Sequence, residues 1–470
     1  MLTGITVIQG GMGAGVSLWW LARAVSWYKG CMGTISGIAL CRILAWNLQH
    51  GDPGGHYRRA LRAFPIPEIA QRVYRDWFRE PGSDRPCKPF PKPSLNPSQD
   101  WIDLALVGNF VQVYLAKEGR GENHPININY LEKIQFILPT SIVGAMLAGV
   151  DCVSIGAGIP KQIPGMLDAI AKGKPAIYQV NLGTSDKPFV MRFDPRKYMG
   201  KSMKGTKRPK FIAIVASDTL VRHLERNTDG VDGFVIEGPT AGGHNAPPRG
   251  HKKGQPFVYV EKDKPDLEVV RGFGKPFWLA GGQCSPEALR DAQAAGAKGI
   301  QVGSAFALCP DSNLLDNLKQ TVLRKATEGT HRVGPRDVSP TFFPFRVFEI
   351  EGTLSDENVY QGHKRRCALG FLRSHRRKGG RIISLCPAEP ISAYIRKGGS
   401  ADDTVGRICL CDALMSAIGQ QYTNEPAVVT FGDGNFARDL RLIRNKDGSL
   451  SVRNVIRYIR SKQLSYPRCL

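Results

Sequence analysis

Short apolar runs ending at glycine or another small residue recur along the first two thirds of the chain. In order they are TVIQ (6–9), GTI (33–35), ININYL (126–131), CVSI (152–155), FIAIV (211–215), GFVIE (233–237), FWLA (277–280) and IQV (300–302). Each is short, rich in β-branched or aromatic residues and closed by a turn signal, the pattern of a buried strand. Helical spacing separates most of them, as over residues 18–28, 140–149, 163–171 and 219–226. Eight such strands with intervening helices predict a (β/α)8 TIM barrel. A doubly wound sheet is the alternative, and it calls for fewer strands and a stronger first-turn fingerprint than GGMGAG (10–15), which lacks the spacing of GxGxxG.

The stretch 277–306 carries the most information. Trp278, Leu279 and Ala280 stop at Gly281-Gly282. Ser285 then suits a helix N-cap, with Pro286 in the first turn and Glu287 favourable beside it. Gly296 ends that helix, and the next strand also closes on a small pair, Gly303-Ser304. Two consecutive parallel strands ending in glycine turns offer backbone N–H groups to an anion. The last two strands of a β/α barrel are a common seat for phosphate.

Two segments break the rhythm. Residues 38–107 are expected to hold one or two helices, such as 67–78, followed by a proline-rich run at 81–97; an excursion of this length suits a lid, a cap or an oligomer contact. Residues 110–116 read as extended. A basic insertion reaching Pro209 suits a hairpin. After Leu308 the alternation stops. A helix over 314–327 could close the barrel, so the expected division is a barrel over 1–330 and a C-terminal extension over 331–470.

Charge and cysteines change the picture only a little. Net charge is +23, and residues 363–381 contain eight Lys and Arg with no acid. Such a surface attracts anions, but no aromatic-basic motif or helix-turn-helix argues for a nucleic-acid partner. Eleven cysteines spread through a long chain do not make a small disulfide framework. Cys367, Cys386, Cys409 and Cys411 lack zinc-type C-x-x-C spacing and read as buried structural residues, with no metal expected. No basic residue precedes the first glycine turn, and Arg23 and Lys29 interrupt the apolar stretch after it. Neither a secretory signal nor a membrane span is expected, and the cytoplasm is the expected compartment.

The sixth strand runs into EGPTAGGHN (237–245), which sets His244 directly after two glycines at the end of the barrel where chemistry sits. A histidine there can act as acid, base or hydrogen-bond donor. Together IQGGMGAGVS, INYLEKI, GAGIP, EGPTAGGHN, LAGG and IQVGSAF span residues 5 to about 310. In order and spacing they resemble the nitronate monooxygenase family, FMN-dependent TIM barrels related to the flavin-dependent enoyl-acyl-carrier-protein reductases. The resemblance implies FMN, its phosphate between Gly281-Gly282 and Gly303-Ser304. Gln9, Gly10, Gly11 and Met12 would lie along the ring, with Asn129 contacting it from the third strand. It implies His244 as the catalytic residue, with Lys133 as a further positive charge if it is not simply exposed. The implied substrate is an alkyl nitronate oxidised with O2; the alternative is NAD(P)H-dependent reduction of an enoyl thioester or another acceptor. Thr240, where relatives carry glutamate, and Asn245-Ala246-Pro247-Pro248 after the histidine depart from the pattern and bear on the substrate more than on the cofactor.

Overall fold

The structure is a computed structural model that describes residues 1–183, 187–199, 206–421, 423–433, 436–445 and 448–461. Its strands, in chain order, begin with β1 (Val7–Gln9), β2 (Cys31–Ser36), β3 (Ile126–Leu131), β4 (Cys152–Gly156), β5 (Ala176–Val180), β6 (Phe189–Phe193), β7 (Lys210–Val215) and β8 (Gly233–Glu237). They continue with β9 (Gly243–His244), β10 (Phe277–Ala280), β11 (Gly299–Val302), β12 (Val333–Arg336), β13 (Phe345–Phe348), β14 (Ser374–Lys378) and β15 (Arg381–Leu385).

Eight of these close a parallel barrel in the order β1-β11-β10-β8-β7-β4-β3-β2. They are the eight strands read from the apolar runs. Closure is made by β1 against β11, where Val7 pairs with Ile300 and Gln9 with Val302. The barrel interior is filled by Leu2, Ile5, Ile8, Met32, Cys152, Ile212, Val235 and Trp278. Trp278 donates its indole N–H to the Ile5 carbonyl (3.0 Å), so the floor is sealed by a large side chain whose one polar atom is satisfied. With the floor closed, any cavity must open at the strand C-termini.

Residues 110–116 are not extended. They lie inside the helix Gln99–Lys117, capped by Ser98 accepting from the Trp101 N–H. VQVYLA alternates like a strand, but this helix is buried on nearly all sides, from Leu104 through Ala116. Tertiary burial removes the helical stripe that periodicity looks for. The helix packs against the barrel helices Trp19–Ser26 and Leu138–Leu147, and the helices Leu40–Gln49, His56–Arg62 and Pro67–Trp77 pack in turn against it. Residues 81–97 hold no helix or strand. The basic insertion is a hairpin, β5 antiparallel to β6.

Beyond the barrel, β12 and β13 pair antiparallel, and β13 pairs with β9, the strand that carries His244. The basic run forms the hairpin β14–β15. Several of its cations hold carbonyls of this chain: Arg365 those of Pro387 and Thr404, Arg366 that of Thr423, and Lys378 that of Arg396. Among the described residues no helix is long and apolar enough to cross a membrane.

Candidate functional site

One large cavity opens at the C-terminal mouth of the barrel. Its lining includes Gly10, Gly11 and Met12 after β1, Asn129 on β3, Glu237 at the end of β8, His244 on β9, Gly281-Gly282 after β10 and Gly303-Ser304 after β11. Of the ten residues named from the sequence, nine therefore face one space. Gln9 does not. It is fully buried, its Oε1 accepting the Thr34 N–H (2.8 Å) and its amide turned to the Gly10 carbonyl, so it braces the turn from below.

The glycines permit close approach. Gly281 and Gly282 have φ of 93° and 66°, a left-handed backbone that exposes consecutive N–H groups. A Cβ at Gly281 would lie 3.0 Å from the Gly238 carbonyl and 3.1 Å from the Ala241 nitrogen. A Cβ at Gly11 would fall 2.6 Å from that of Asn129, whose amide is held by the Ser154 carbonyl (3.2 Å). Ser304 accepts the Gly432 N–H through its hydroxyl (2.8 Å), so a C-terminal segment lies across this end. At the rim Asp433 is paired with Arg346 (3.1 Å).

The histidine is positioned from outside the barrel. Gly243 donates its N–H to Thr430 Oγ1 (2.6 Å), and the Asn245 N–H is taken by the Pro344 carbonyl (2.9 Å). The ring stands edge-on to Phe345, 5.0 Å between centroids, with Nε2 2.7 Å from Ser339 Oγ. Burial, and secondarily the Lys133 charge, holds the imidazole well below its ordinary value of 6.5. It is therefore neutral at pH 7, able to accept a proton or share one.

Two further titratable groups were not weighed, or not fully, from the sequence. Glu237 was visible only as the end of a strand, yet it lines the cavity, and burial lifts its carboxyl to about 7. Lys133 is half-buried, with Nζ 3.4 Å from the Phe343 ring centroid, and burial lowers its ammonium to about 7. Both sit near neutrality for one reason, desolvation of the charged form.

Lys133 gives a stability test. Its folded value lies below the ordinary 10.5, so between about 7 and 10.5 the unfolded chain binds more protons and stability rises with pH. Lys133→Met is expected to stabilise the fold at pH 7 by about 1–3 kcal/mol, with the gain shrinking toward pH 10. Thermal melts of both proteins across that range check it; an equal or lower Tm for the variant at pH 7 would refute the burial cost.

The far wall is apolar and comes from beyond residue 330: Phe371, Leu372, Leu410, Leu414, Val428 and Phe431. From 38–107 only Ile38 and Ala39 reach the cavity. Cys386 and Cys409 pack together with Cys411 against them, and Arg373 donates to Cys367 Sγ (3.5 Å). Among the described residues no group of three or more His, Cys, Asp or Glu is arranged to hold a metal ion.

Residues 171–338 match the family model described as nitronate monooxygenase. A probable nitronate monooxygenase of Bacillus subtilis (strain 168) is 30% identical over 113 residues, which cover 23% of this chain and 31% of that protein. The match thus spans less than a third of that relative's length. Among solved structures, the chain is similar to FabK from Thermotoga maritima, with 17% identity, 97% of this chain and 91% of that chain covered, and a TM-score of 0.43. It is also similar to the enoyl reductase domain of MlnA from the macrolactin biosynthesis cluster of Bacillus amyloliquefaciens, with 11% identity, coverage of 97% and 96%, and a TM-score of 0.46.

Proposed function

Residues 171–338 belong to the nitronate monooxygenase family, and from that premise we propose that this oxidoreductase binds FMN and oxidises alkyl nitronates with O2. The observation that carries the reading is convergence. The glycine turns after β1, β10 and β11, Asn129 and His244 come from distant parts of the sequence and line one cavity.

The residues present suit the cofactor. Gly281, Gly282, Gly303 and Ser304 would hold the phosphate through backbone N–H groups and one hydroxyl, where the left-handed Gly281 and Gly282 keep side chains out. Gly10, Gly11, Met12 and Asn129 would lie along the ring. FMN, when bound, supplies the electron-accepting centre that the protein side chains lack. The chain's own part is to place the substrate and handle its proton. Neutral His244, fixed by Ser339 and Phe345, is the base or the hydrogen-bond donor to an anionic nitronate.

A second reading is supported by the apolar wall of Phe371, Leu372, Leu410 and Leu414, which suits a substrate with a hydrocarbon tail. On that reading FMN held by the same turns would supply electron transfer from NAD(P)H to an enoyl thioester. One experiment separates the two. The purified protein should be yellow with a flavin spectrum, and under anaerobic conditions an alkyl nitronate should bleach it faster than NADH or NADPH. Bleaching by a nicotinamide with reoxidation by an enoyl thioester would favour the second reading. A colourless protein that cannot be loaded with FMN would sink both.

A further inference from the structure

The contacts behind His244 form a continuous line of exchangeable hydrogens. Nε2 of His244 is 2.7 Å from Ser339 Oγ, Ser339 Oγ is 2.8 Å from Thr341 Oγ1, and Lys133 Nζ is 3.4 Å from the same Thr341 oxygen. The line starts in the cavity, passes through a fully buried serine and ends at a half-buried amine stacked on Phe343, itself 37% exposed. Its geometry is held from several directions. The Thr341 N–H donates to Ser339 Oγ (3.2 Å), Arg407 donates to the Ser339 carbonyl (3.1 Å), and the Ile408 N–H donates to the Val338 carbonyl (2.9 Å). Next in the chain, Phe342 sits at a φ of 61° with Arg407 4.6 Å from its ring centroid, which fixes the turn that presents Thr341 to Lys133.

We propose that Ser339, Thr341 and Lys133 are a proton relay that carries to solvent the proton His244 takes from a carbon-acid substrate. The proposal rests on the reading of His244 as a base. Nε2 is committed to Ser339, so Nδ1 is the nitrogen left for the substrate. As Nδ1 gains the substrate proton, the Nε2 hydrogen passes to Ser339 Oγ, the serine hydrogen to Thr341 Oγ1, and the threonine hydrogen to the neutral Lys133 amine. One proton moves from carbon to the ammonium, each hydroxyl ends as it began, and no electron is gained or lost by these four residues. Lys133 then releases the proton at the mouth. Desolvation serves this end, because an amine kept near neutrality can both take up and give up a proton where an exposed lysine would stay charged. A buried neutral imidazole has no comparable exit, since a retained proton would leave a charge in a dry site.

The test uses the full-length, FMN-loaded protein and two forms of one substrate, the neutral nitroalkane and its preformed nitronate. Ser339→Ala, Thr341→Val and Lys133→Met should each lower turnover of the neutral form relative to the nitronate by roughly 10–100-fold. Small amine buffers should restore much of that loss in a concentration-dependent way, an effect that a merely structural role would not produce. Equal losses on both forms, or no response to buffer, would overturn the relay. Full activity of all three variants on the neutral form, with His244→Ala inactive, would overturn it while leaving the base intact. If His244→Ala is itself fully active on the neutral form, the base fails and the relay with it.

Discussion

Replacing His244 by alanine is expected to lower turnover by about a thousandfold while FMN content stays near the wild-type amount. A positioned acid or base contributes about a hundred- to ten-thousandfold, and the middle of that range is expected for a group this well fixed. The ring is held by the β9–β13 pairing, the edge of Phe345 and the Ser339 hydroxyl, none of which belongs to the glycine turns after β10 and β11. Removing it should therefore spare the cofactor. The pH dependence follows from sign. Burial keeps the imidazole's proton affinity well below the ordinary 6.5, so the base stays neutral, and the wild-type rate holds, until the pH falls well under that value. Stability follows the same direction: folding excludes the protonated ring, so the contribution is present above 6.5 and is lost as pH falls toward the depressed folded value. Turnover and flavin absorbance measured on the same samples check the prediction. Unchanged turnover removes the role, and a loss that merely tracks flavin loss assigns His244 to cofactor binding instead.

The barrel was legible because each of its strands is a short, mostly apolar run closed by a turn residue, a signal that survives without neighbours. The glycine turns at the cavity were legible for a related reason: Gly281-Gly282 and Gly303-Ser304 are local features. What failed or went unweighed depends on distance. The alternation over 110–116 misled because the helix containing it is buried nearly all round, and no polar face marks its period. Thr430, which accepts the Gly243 N–H, stands 187 positions away from it. Ser339 carried no signal beyond its place in the expected C-terminal extension, yet it lies 2.7 Å from the histidine ring, 95 positions away in sequence. Glu237 carried no signal beyond ending a strand; only its place on the cavity wall gives a carboxyl there a proton to hold near pH 7.

These long-range contacts give the C-terminal third a chemical task. Thr430, Pro344, Phe345 and Ser339 together set the orientation of His244, while Phe371, Leu372, Leu410 and Leu414 shape the space beside it. On the proposed reading the barrel would supply the turns for a phosphate and a ring. The segment after it supplies the walls and the second partner of every hydrogen bond that aims the histidine. Differences in substrate among chains with the same barrel turns should therefore follow residues of this later segment.

Gly281→Ala should cost the protein its cofactor without abolishing its fold. Two penalties act at this position. A φ of 93° is a conformation that L side chains rarely adopt, worth about 1–2 kcal/mol. The added Cβ would also stand 3.0 Å from the Gly238 carbonyl and 3.1 Å from the Ala241 nitrogen, both backbone atoms. Neither can retreat freely, because the Gly238 N–H is bonded to the Ala280 carbonyl (2.9 Å) and the Ala241 N–H to the Gly238 carbonyl (3.1 Å). The turn must open, and the N–H groups that would face a phosphate turn away. FMN affinity should fall by at least about a hundredfold, equivalent to roughly 2.7 kcal/mol. Gly274→Ala separates the two penalties. Gly274 has a φ of 67° with nothing within 4 Å of the added Cβ, so that variant bears backbone strain alone. It should melt lower than wild type yet hold flavin at wild-type affinity. Flavin titration of both refolded apoproteins decides the matter. If Gly281→Ala binds FMN as tightly as Gly274→Ala, the turn after β10 does not hold the phosphate, and the cradle must lie elsewhere along the mouth.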